Sequence, residues 1–348
     1  FVHSPPQPYE RGIIETNAAF MNRLRRPDNI SHRLDQRGVA AIKAIVPWLI
    51  GLVFVTVEAR RVSTQITVRY PDFFGWAERA ARFDLQNLSQ WDWVHGLYPL
   101  GYPLLLRLGV ELGSDVLRAA FVISIVGGFL GLMGTYWLAL RMTDNWTVAV
   151  LSQAALACMS FYLFFANLDA TDMLSAGLQI LSIAVLFAGT VRRENSHNAL
   201  AFFAVSGLLV GLSYLIRYTA SLTVFLCVAY LVGLAVANRR REDGIAVGAY
   251  LLGALVGAAP QLIASTIIEG NPIYSHQAHN LWFHLTGSSD YIRDWNAVPM
   301  DISLWEVISD DPGRFFGHWW QVFRSAWRTG DAVALDVPFG MLVQAAVL

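Results

Sequence analysis

Three groups of side chains in this apolar chain could take part in chemistry. The first is Asp72, in the stretch YPDFFGWAERAARFD, together with His95 further along the same loop. The second is the turn NLDATD with Asp169 and Asp172, and the third is Arg217 in YLIRYTA. A carboxylate can accept a proton or bind a divalent cation, and the planar guanidinium of arginine can hold a phosphate. These residue types therefore indicate acid–base or anion-binding chemistry.

A fourth group consists of His276, His279 and His284 in the stretch NPIYSHQAHNLWFH. Imidazoles can bind zinc, but no acid or cysteine at a matching distance accompanies these three. We therefore assign no metal site to them.

Each of the acidic and basic residues also has a structural explanation. Asp169 or Thr171 could cap a helix, and Asp172 would be favoured in the first turn by the helix dipole. Arg217 could extend from the end of a membrane span to the interface. Asp72 could be an ordinary loop acid. Spacing alone does not decide between these explanations and a function.

The composition indicates that membrane-spanning helices position these residues. Of 348 residues, 55% are hydrophobic and only 15% are charged, whereas soluble domains carry about 25% charged residues. We predict an all-α polytopic membrane protein, because apolar runs of about 18 residues or more indicate spans. The predicted spans are seven complete ones, residues 39–58, 114–140, 147–166, 172–191, 198–216, 219–238 and 244–267, and the start of an eighth, residues 337–348.

The net charge of −1 provides no basic field, so we expect no binding to nucleic acid. The two cysteines, Cys158 and Cys227, fall inside apolar runs, and we expect both to be buried.

The spans divide the chain into four segments. Residues 1–38 form an N-terminal tail in which 12–26 could be a surface helix, and 39–267 form the transmembrane domain, which includes a first long loop, 59–113. A second, Trp-rich long loop follows at 268–336, and 337–348 begin a further span.

Arginines in the short connections set the predicted orientation, since cytoplasmic loops carry an excess of Lys and Arg. Arginines at 23, 25, 26, 33 and 37 precede the first span. More mark the ends of the second, fourth and sixth spans, namely Arg141, Arg192, Arg193 and RRR at 239–241. We therefore predict a cytoplasmic N-terminus and two long loops on the outer face, with the protein in the cytoplasmic membrane of a prokaryote. All four polar groups would then lie on the outer side.

Both long loops contain segments that are too short or too interrupted to span a membrane. The stretch WVHGLYPLGYPLLLRLG, 93–109, is interrupted by prolines and suits a segment that re-enters or skims the outer leaflet. Residues 303–328 are rich in Trp and Arg and predict interfacial helices broken near Pro312. Together these segments could roof a cavity open to lipid and water.

This order of elements resembles the GT-C superfamily of integral-membrane glycosyltransferases, which includes protein O-mannosyltransferases and lipid A aminoarabinose transferases. The resemblance covers roughly residues 39–330 and lies in YPDFFGWAERAARF, HGLYPLGYPLLLRLG, NLDATD, GLSYLIRYTA and GAAPQLIASTIIEGNPIYS. The acidic pair of the family is Asp72-Phe73 here, and its double proline is YPLGYP, which leaves the subfamily open.

The resemblance implies an inverting transfer of a sugar from a polyprenyl-phosphate donor to a hydroxyl of a protein or glycolipid acceptor. Asp72 matches the catalytic acid of the family, and we expect it to act as the general base. Arg217 is then expected to bind the donor phosphate. The sugar or acceptor pocket would be formed by Asp169, Asp172, His95 and Tyr98. The sequence indicates no certain cofactor, and Asp169 and Asp172 could hold a divalent cation.

Two other classes of protein stay open on the sequence. One is a non-catalytic membrane subunit that keeps this scaffold within a larger assembly with partner subunits. The other is a transporter, although the spans hold few charges away from their ends and contain no visible internal repeat.

Overall fold

Helices provide all the regular secondary structure in the part of the chain that the computed structural model describes. The described residues are 28–64, 72–83, 94, 96–192, 198–286, 297 and 299–329. Their helices are α1 (Asp28–Thr64), α2 (Phe73–Ala81), α3 (Gly101–Glu111), α4 (Val116–Thr143), α5 (Trp146–Ala157), α6 (Ser160–Ala166), α7 (Asp172–Arg192), α8 (Asn198–Ile216), α9 (Ala220–Asn238), α10 (Arg241–Glu269), α11 (Gln277–Thr286), α12 (Leu304–Asp310) and α13 (Pro312–Thr329).

Six of the described helices, α1, α4, α7, α8, α9 and α10, are long and apolar enough to cross a membrane. The pair α5 and α6 adds a seventh candidate if the two form one span. This result confirms the predicted all-α polytopic membrane protein with about seven spans. The predicted eighth span and the predicted surface helix, 12–26, lie outside the described residues.

The third candidate span differs from its prediction, because it is bent by 64° between α5 and α6. The bend lies at Cys158 and Met159, where the first of these residues is exposed. The expectation that both cysteines are buried is therefore wrong for Cys158, since the interruption of the helix leaves its side chain uncovered. The buried thiol of Cys227 agrees with the expectation.

The chain divides into two units, Phe1–Trp48 and Leu49–Leu348. In the first, the described residues form the beginning of α1. The second unit contains every contact discussed below.

Glycines allow α8 and α10 to pack with their backbones in close contact. Each helix presents two glycines four residues apart, Gly207 and Gly211 on α8 and Gly253 and Gly257 on α10. A Cβ atom on Gly253 would lie only 2.0 Å from the carbonyl oxygen of Ala204. Small residues at this spacing are a recurrent way to bring membrane helices together, because the driving force there is van der Waals packing.

Serine pairs join α7 to α8 inside the apolar bundle. The hydroxyls of Ser175 and Ser213 lie 2.9 Å apart, and those of Ser182 and Ser206 lie 3.1 Å apart. All four side chains are buried. These bonds satisfy polar groups that would otherwise be costly in a bilayer, and they fix the two helices that carry Asp172 and lead to Arg217.

The segments between the spans form shorter helices, as predicted for the two long loops. Pro103 lies in the first turn of α3, where a missing N–H does not disrupt the helix. Ser303 and Glu306 form a capping box at the start of α12. The break before α13 lies at Asp311 and Pro312, which agrees with the sequence.

Replacing Gly253 by Ala should lower the melting temperature of the purified protein in detergent by several degrees. The added methyl group must push α8 and α10 apart, and overpacking of this kind costs about 1–3 kcal/mol. Gly248→Ala is the matched control on the same helix, because a Cβ atom there meets nothing within 4 Å. Equal melting temperatures for the two variants would contradict the close packing.

Candidate active site

A cavity of about 140 Å³, open to solvent on one side, lies where several helix ends meet. Its walls come from the start of α2, the segment before α3, the turn before α7, the turn between α8 and α9, and α11. The lining residues are Asp72, Trp76, Leu97, Tyr98, Pro99, Thr171, Ile216, Arg217, Tyr218, Thr219, Gln277 and Asn280. Three predicted site residues, Asp72, Tyr98 and Arg217, therefore share one cavity although they are distant in the sequence.

Asp72 directly precedes α2, but its side chain makes no capping bond to that helix. The helix is anchored instead by its apolar face, on which Phe73, Trp76 and Ala80 are buried. Asp72 itself is half-buried at the cavity wall. A rigid helix thus presents a carboxylate that is not required to cap it, so the carboxylate is available to a molecule in the cavity.

Arg217 forms an ion pair with Asp172 across the turns at the ends of α7 and α8. The two side chains retain 35% and 28% of their exposure, so the pair is only partly removed from solvent. The Oδ2 atom of Asp172 is buried and accepts no hydrogen bond in the described structure. Arg217 is thereby held at the cavity while it keeps further N–H donors for an anion.

Asp169 lies in the same turn but is fully buried and is not among the cavity-lining residues. The hydroxyl of Ser124 on α4 donates to the carbonyl oxygen of Leu168 at 2.6 Å, which fixes this turn. Asp169 and Asp172 also face the buried hydroxyl of Tyr102: burial and then these two carboxylates raise the pKa of Tyr102, so the phenol stays protonated. The two acids of the predicted pocket therefore differ in position. Asp172 pairs with the cavity residue Arg217, whereas Asp169 is buried and does not line the cavity.

The segment after α10 covers one side of the cavity. The backbone N–H of His276 donates to the carbonyl oxygen of Gly96 at 2.8 Å. The hydroxyl of Tyr274 lies 2.8 Å from Nε2 of His276. Gln277 and Asn280 then line the cavity from α11. The two long loops therefore meet, as a roof over the cavity requires.

The described part of this second loop contains no cluster of side chains that could bind a metal ion. His279 is fully buried, and its Nδ1 lies 3.1 Å from the carbonyl oxygen of Pro299. No group of three or more His, Cys, Asp or Glu side chains among the described residues could hold a metal ion. His95 and the side chain of His284 lie outside what the structure describes.

Several residues that line the cavity were not predicted from the sequence. Trp76 packs edge to face against Tyr98, with ring centroids 5.7 Å apart. Thr171 and Tyr218 are neighbours of predicted residues, and adjacency in the chain is the signal that could have identified them. Gln277 has no such signal, because only folding brings α11 next to Leu97, whose carbonyl oxygen lies 3.5 Å from its Nε2.

One comparison with known proteins finds a similar family over slightly less than half of the chain. The family model described as dolichyl-phosphate-mannose-protein mannosyltransferase matches residues 98–263, which include the cavity residues from Tyr98 to Thr219. No curated protein and no solved structure matches the chain significantly. The match confirms the resemblance to the GT-C superfamily and supports a membrane glycosyltransferase of that type.

The packing of His276 on Gly96 should weaken in acid. Burial and then His279 lower the pKa of His276, and the opposing effects of Glu269 and Asp301 are smaller. A histidine in an unfolded chain takes up a proton at about pH 6.5. The stability that neutral His276 contributes is therefore complete above that pH and is lost as the pH falls through the lower folded pKa.

Melting temperatures measured between pH 7.5 and pH 5 test this dependence. The wild type should lose more stability in acid than His276→Gln, which cannot be protonated. His318→Gln is the control, because His318 is an exposed histidine on α13. If His276→Gln lost as much stability in acid as the wild type, protonation of His276 would not be the cause of the loss.

Proposed function

We propose that this membrane glycosyltransferase of the GT-C type transfers a sugar from a polyprenyl-phosphate donor to an acceptor hydroxyl in the cavity bounded by Asp72 and Arg217. The observation that carries the proposal is that this carboxylate and this guanidinium line the same cavity. The description of the matching family, dolichyl-phosphate-mannose-protein mannosyltransferase, names a dolichyl-phosphate sugar donor and a protein acceptor and supports the same class of reaction.

The reaction needs one base and one cation. Asp72 accepts the proton of the acceptor hydroxyl while the hydroxyl oxygen forms a bond to the anomeric carbon of the sugar. The bond from that carbon to the phosphate oxygen breaks on the opposite side, so the configuration is inverted. The lipid phosphate leaves as a stable anion and requires no general acid.

Arg217 binds the phosphate of the donor and of the leaving group. Its planar guanidinium can form two parallel hydrogen bonds to phosphate oxygens. Asp172 holds this guanidinium at the cavity and balances its charge when no donor is bound. The lipid chain of the donor would extend into the bilayer, and Tyr98 and Trp76 would contact the sugar.

We place this cavity on the outer face of the cytoplasmic membrane. Along the chain the cavity lies where α7 begins and α8 ends, and the other ends of these spans adjoin the arginine-bearing connections. Exposed Arg141 lies in the last turn of α4, and exposed Arg239 to Arg241 lie between the end of α9 and the start of α10. If successive spans alternate in direction, these arginines lie on the same side as those other ends. The bias of Lys and Arg towards the cytoplasm supports this orientation.

A cysteine introduced at exposed Thr219 should therefore react with a membrane-impermeant maleimide from outside intact cells.

Replacing Asp72 by Asn should reduce transfer by at least about 100-fold, which is the usual contribution of a general base. Donor binding should change little, because the amide keeps the shape of the carboxyl group and Arg217 is intact. Transfer from a polyprenyl-phosphate sugar in reconstituted membranes measures the first effect, and binding of labelled donor measures the second. Asp115→Asn is the control, since the side chain of Asp115 caps α4 and asparagine also caps helices.

Replacing Arg217 by Ala should instead weaken donor binding by about tenfold to 100-fold, which corresponds to about 1.5–3 kcal/mol for hydrogen bonds to a charged group. The variant also leaves the carboxylate of Asp172 facing the phosphate. The double variant with Asp172→Asn should therefore bind the donor better than Arg217→Ala alone. Arg118→Ala is the control, because Arg118 is 78% exposed on α4.

Wild-type transfer rates in both the Asp72 and the Arg217 variants would overturn the assignment. A protein that copurifies with a stoichiometric membrane partner and neither binds nor consumes the donor would be a non-catalytic subunit instead.

A further inference from the structure

The segment Tyr98 to Leu100 lies in the cavity wall between the helix that follows Asp72 and the helix end that leads to Arg217. Tyr98 and Pro99 line the cavity, and Leu100 leads directly into α3. This segment forms no helix, so its conformation depends on bonds from other elements. Two buried polar side chains supply such bonds from opposite sides.

The first of these side chains is Arg79 on α2. It is only 3% exposed, and its guanidinium donates to the carbonyl oxygens of Tyr98 and Pro99, the latter at 3.1 Å. Burying a charged group is costly unless it is well bonded. Because Asp72 directly precedes α2, Arg79 links the proposed base to the segment through this one helix.

The second side chain is Gln261 on α10, next to Pro260. It is fully buried, and its Oε1 accepts a hydrogen bond from the backbone N–H of Leu100 at 2.9 Å. Its Nε2 lies 3.1 Å from the hydroxyl of Ser265, so both ends of the amide are bonded. Gln261 therefore ties the segment to a membrane span.

Gly101, which directly follows this segment as the first residue of α3, contacts the end of α8 that leads to Arg217. A Cβ atom on Gly101 would lie 2.6 Å from the carbonyl oxygen of Leu215, so the two backbones are in direct contact. Displacement of Leu100 would therefore change the relation between Asp72 on one side and Arg217 on the other.

We propose that Gln261 and Arg79 are positioning residues that set the geometry between Asp72 and Arg217 by fixing the backbone of Tyr98 to Leu100. The inference rests on the proposed function. It adds two residues that touch neither donor nor acceptor and that act through a backbone segment. Displacement of reacting groups by about 1 Å can reduce a rate by about 100-fold, so small shifts of this segment are sufficient.

The test compares Gln261→Met with Gln261→Glu in reconstituted membranes. Methionine has a similar shape but offers Leu100 only a weak sulfur acceptor, whereas glutamate keeps an oxygen at that position. Gln153→Met is the matched control, because Gln153 is another fully buried glutamine within the membrane, in α5, and its amide contacts Met133. Transfer is normalised to the number of donor-binding sites, which removes the effect of unfolded protein.

We expect Gln261→Met to reduce normalised transfer by about tenfold to 100-fold, with donor affinity changed less than about threefold. Amide hydrogen exchange in residues 96–104 should accelerate in the same variant. Gln261→Glu should retain most of the transfer, and Gln153→Met should change neither property. Arg79→Lys, which keeps one charged donor, should likewise retain more transfer than Arg79→Met.

Normal transfer in Gln261→Met overturns this inference alone, while the loss in Asp72→Asn still supports the proposed function. Equal losses in Gln261→Met and Gln153→Met also overturn it, since the role would then be general stability. If the wild type itself transfers no sugar, the proposed function fails, and this inference fails with it.

Discussion

The ion pair between Arg217 and Asp172 is the interaction on which the organisation of the cavity depends. A guanidinium at the end of a membrane span is costly unless a partner compensates its charge. Asp172 supplies that partner from the start of the neighbouring span. The pair remains partly exposed, so the positive charge is held in place without being withdrawn from a ligand. This combination suits a site that must bind and release an anion.

The rest of the bundle serves to keep the two residues of this pair together. Serine pairs and glycine contacts bring α7, α8 and α10 close, so the ends of these helices have little freedom relative to one another. The two long loops form the other walls of the cavity beside these packed helices. The first contributes Asp72 and Tyr98, and the second contributes Gln277. The cavity thus combines a partly exposed ion pair at the ends of closely packed helices with walls from segments outside the spans.

The spans could be predicted from sequence because an apolar run of sufficient length has one stable arrangement in a bilayer. Six predicted spans correspond to single long helices of the described structure. The bend at Cys158 could not be predicted, since its residues are as apolar as those of a straight helix. Similarly, the polar residue Gln261 next to a proline within a span was visible in the sequence, but its partner, Leu100, was not.

By itself, the sequence determined the membrane class, the order of the helices and the residue types able to act as base and anion ligand, because these follow from local composition and periodicity. Tertiary structure alone decided that Asp72 and Arg217 share a cavity, that Asp172 pairs with Arg217, and that Asp169 is buried away from the cavity. Those outcomes depend on how helices far apart in the chain pack at their ends, and no local pattern encodes that packing.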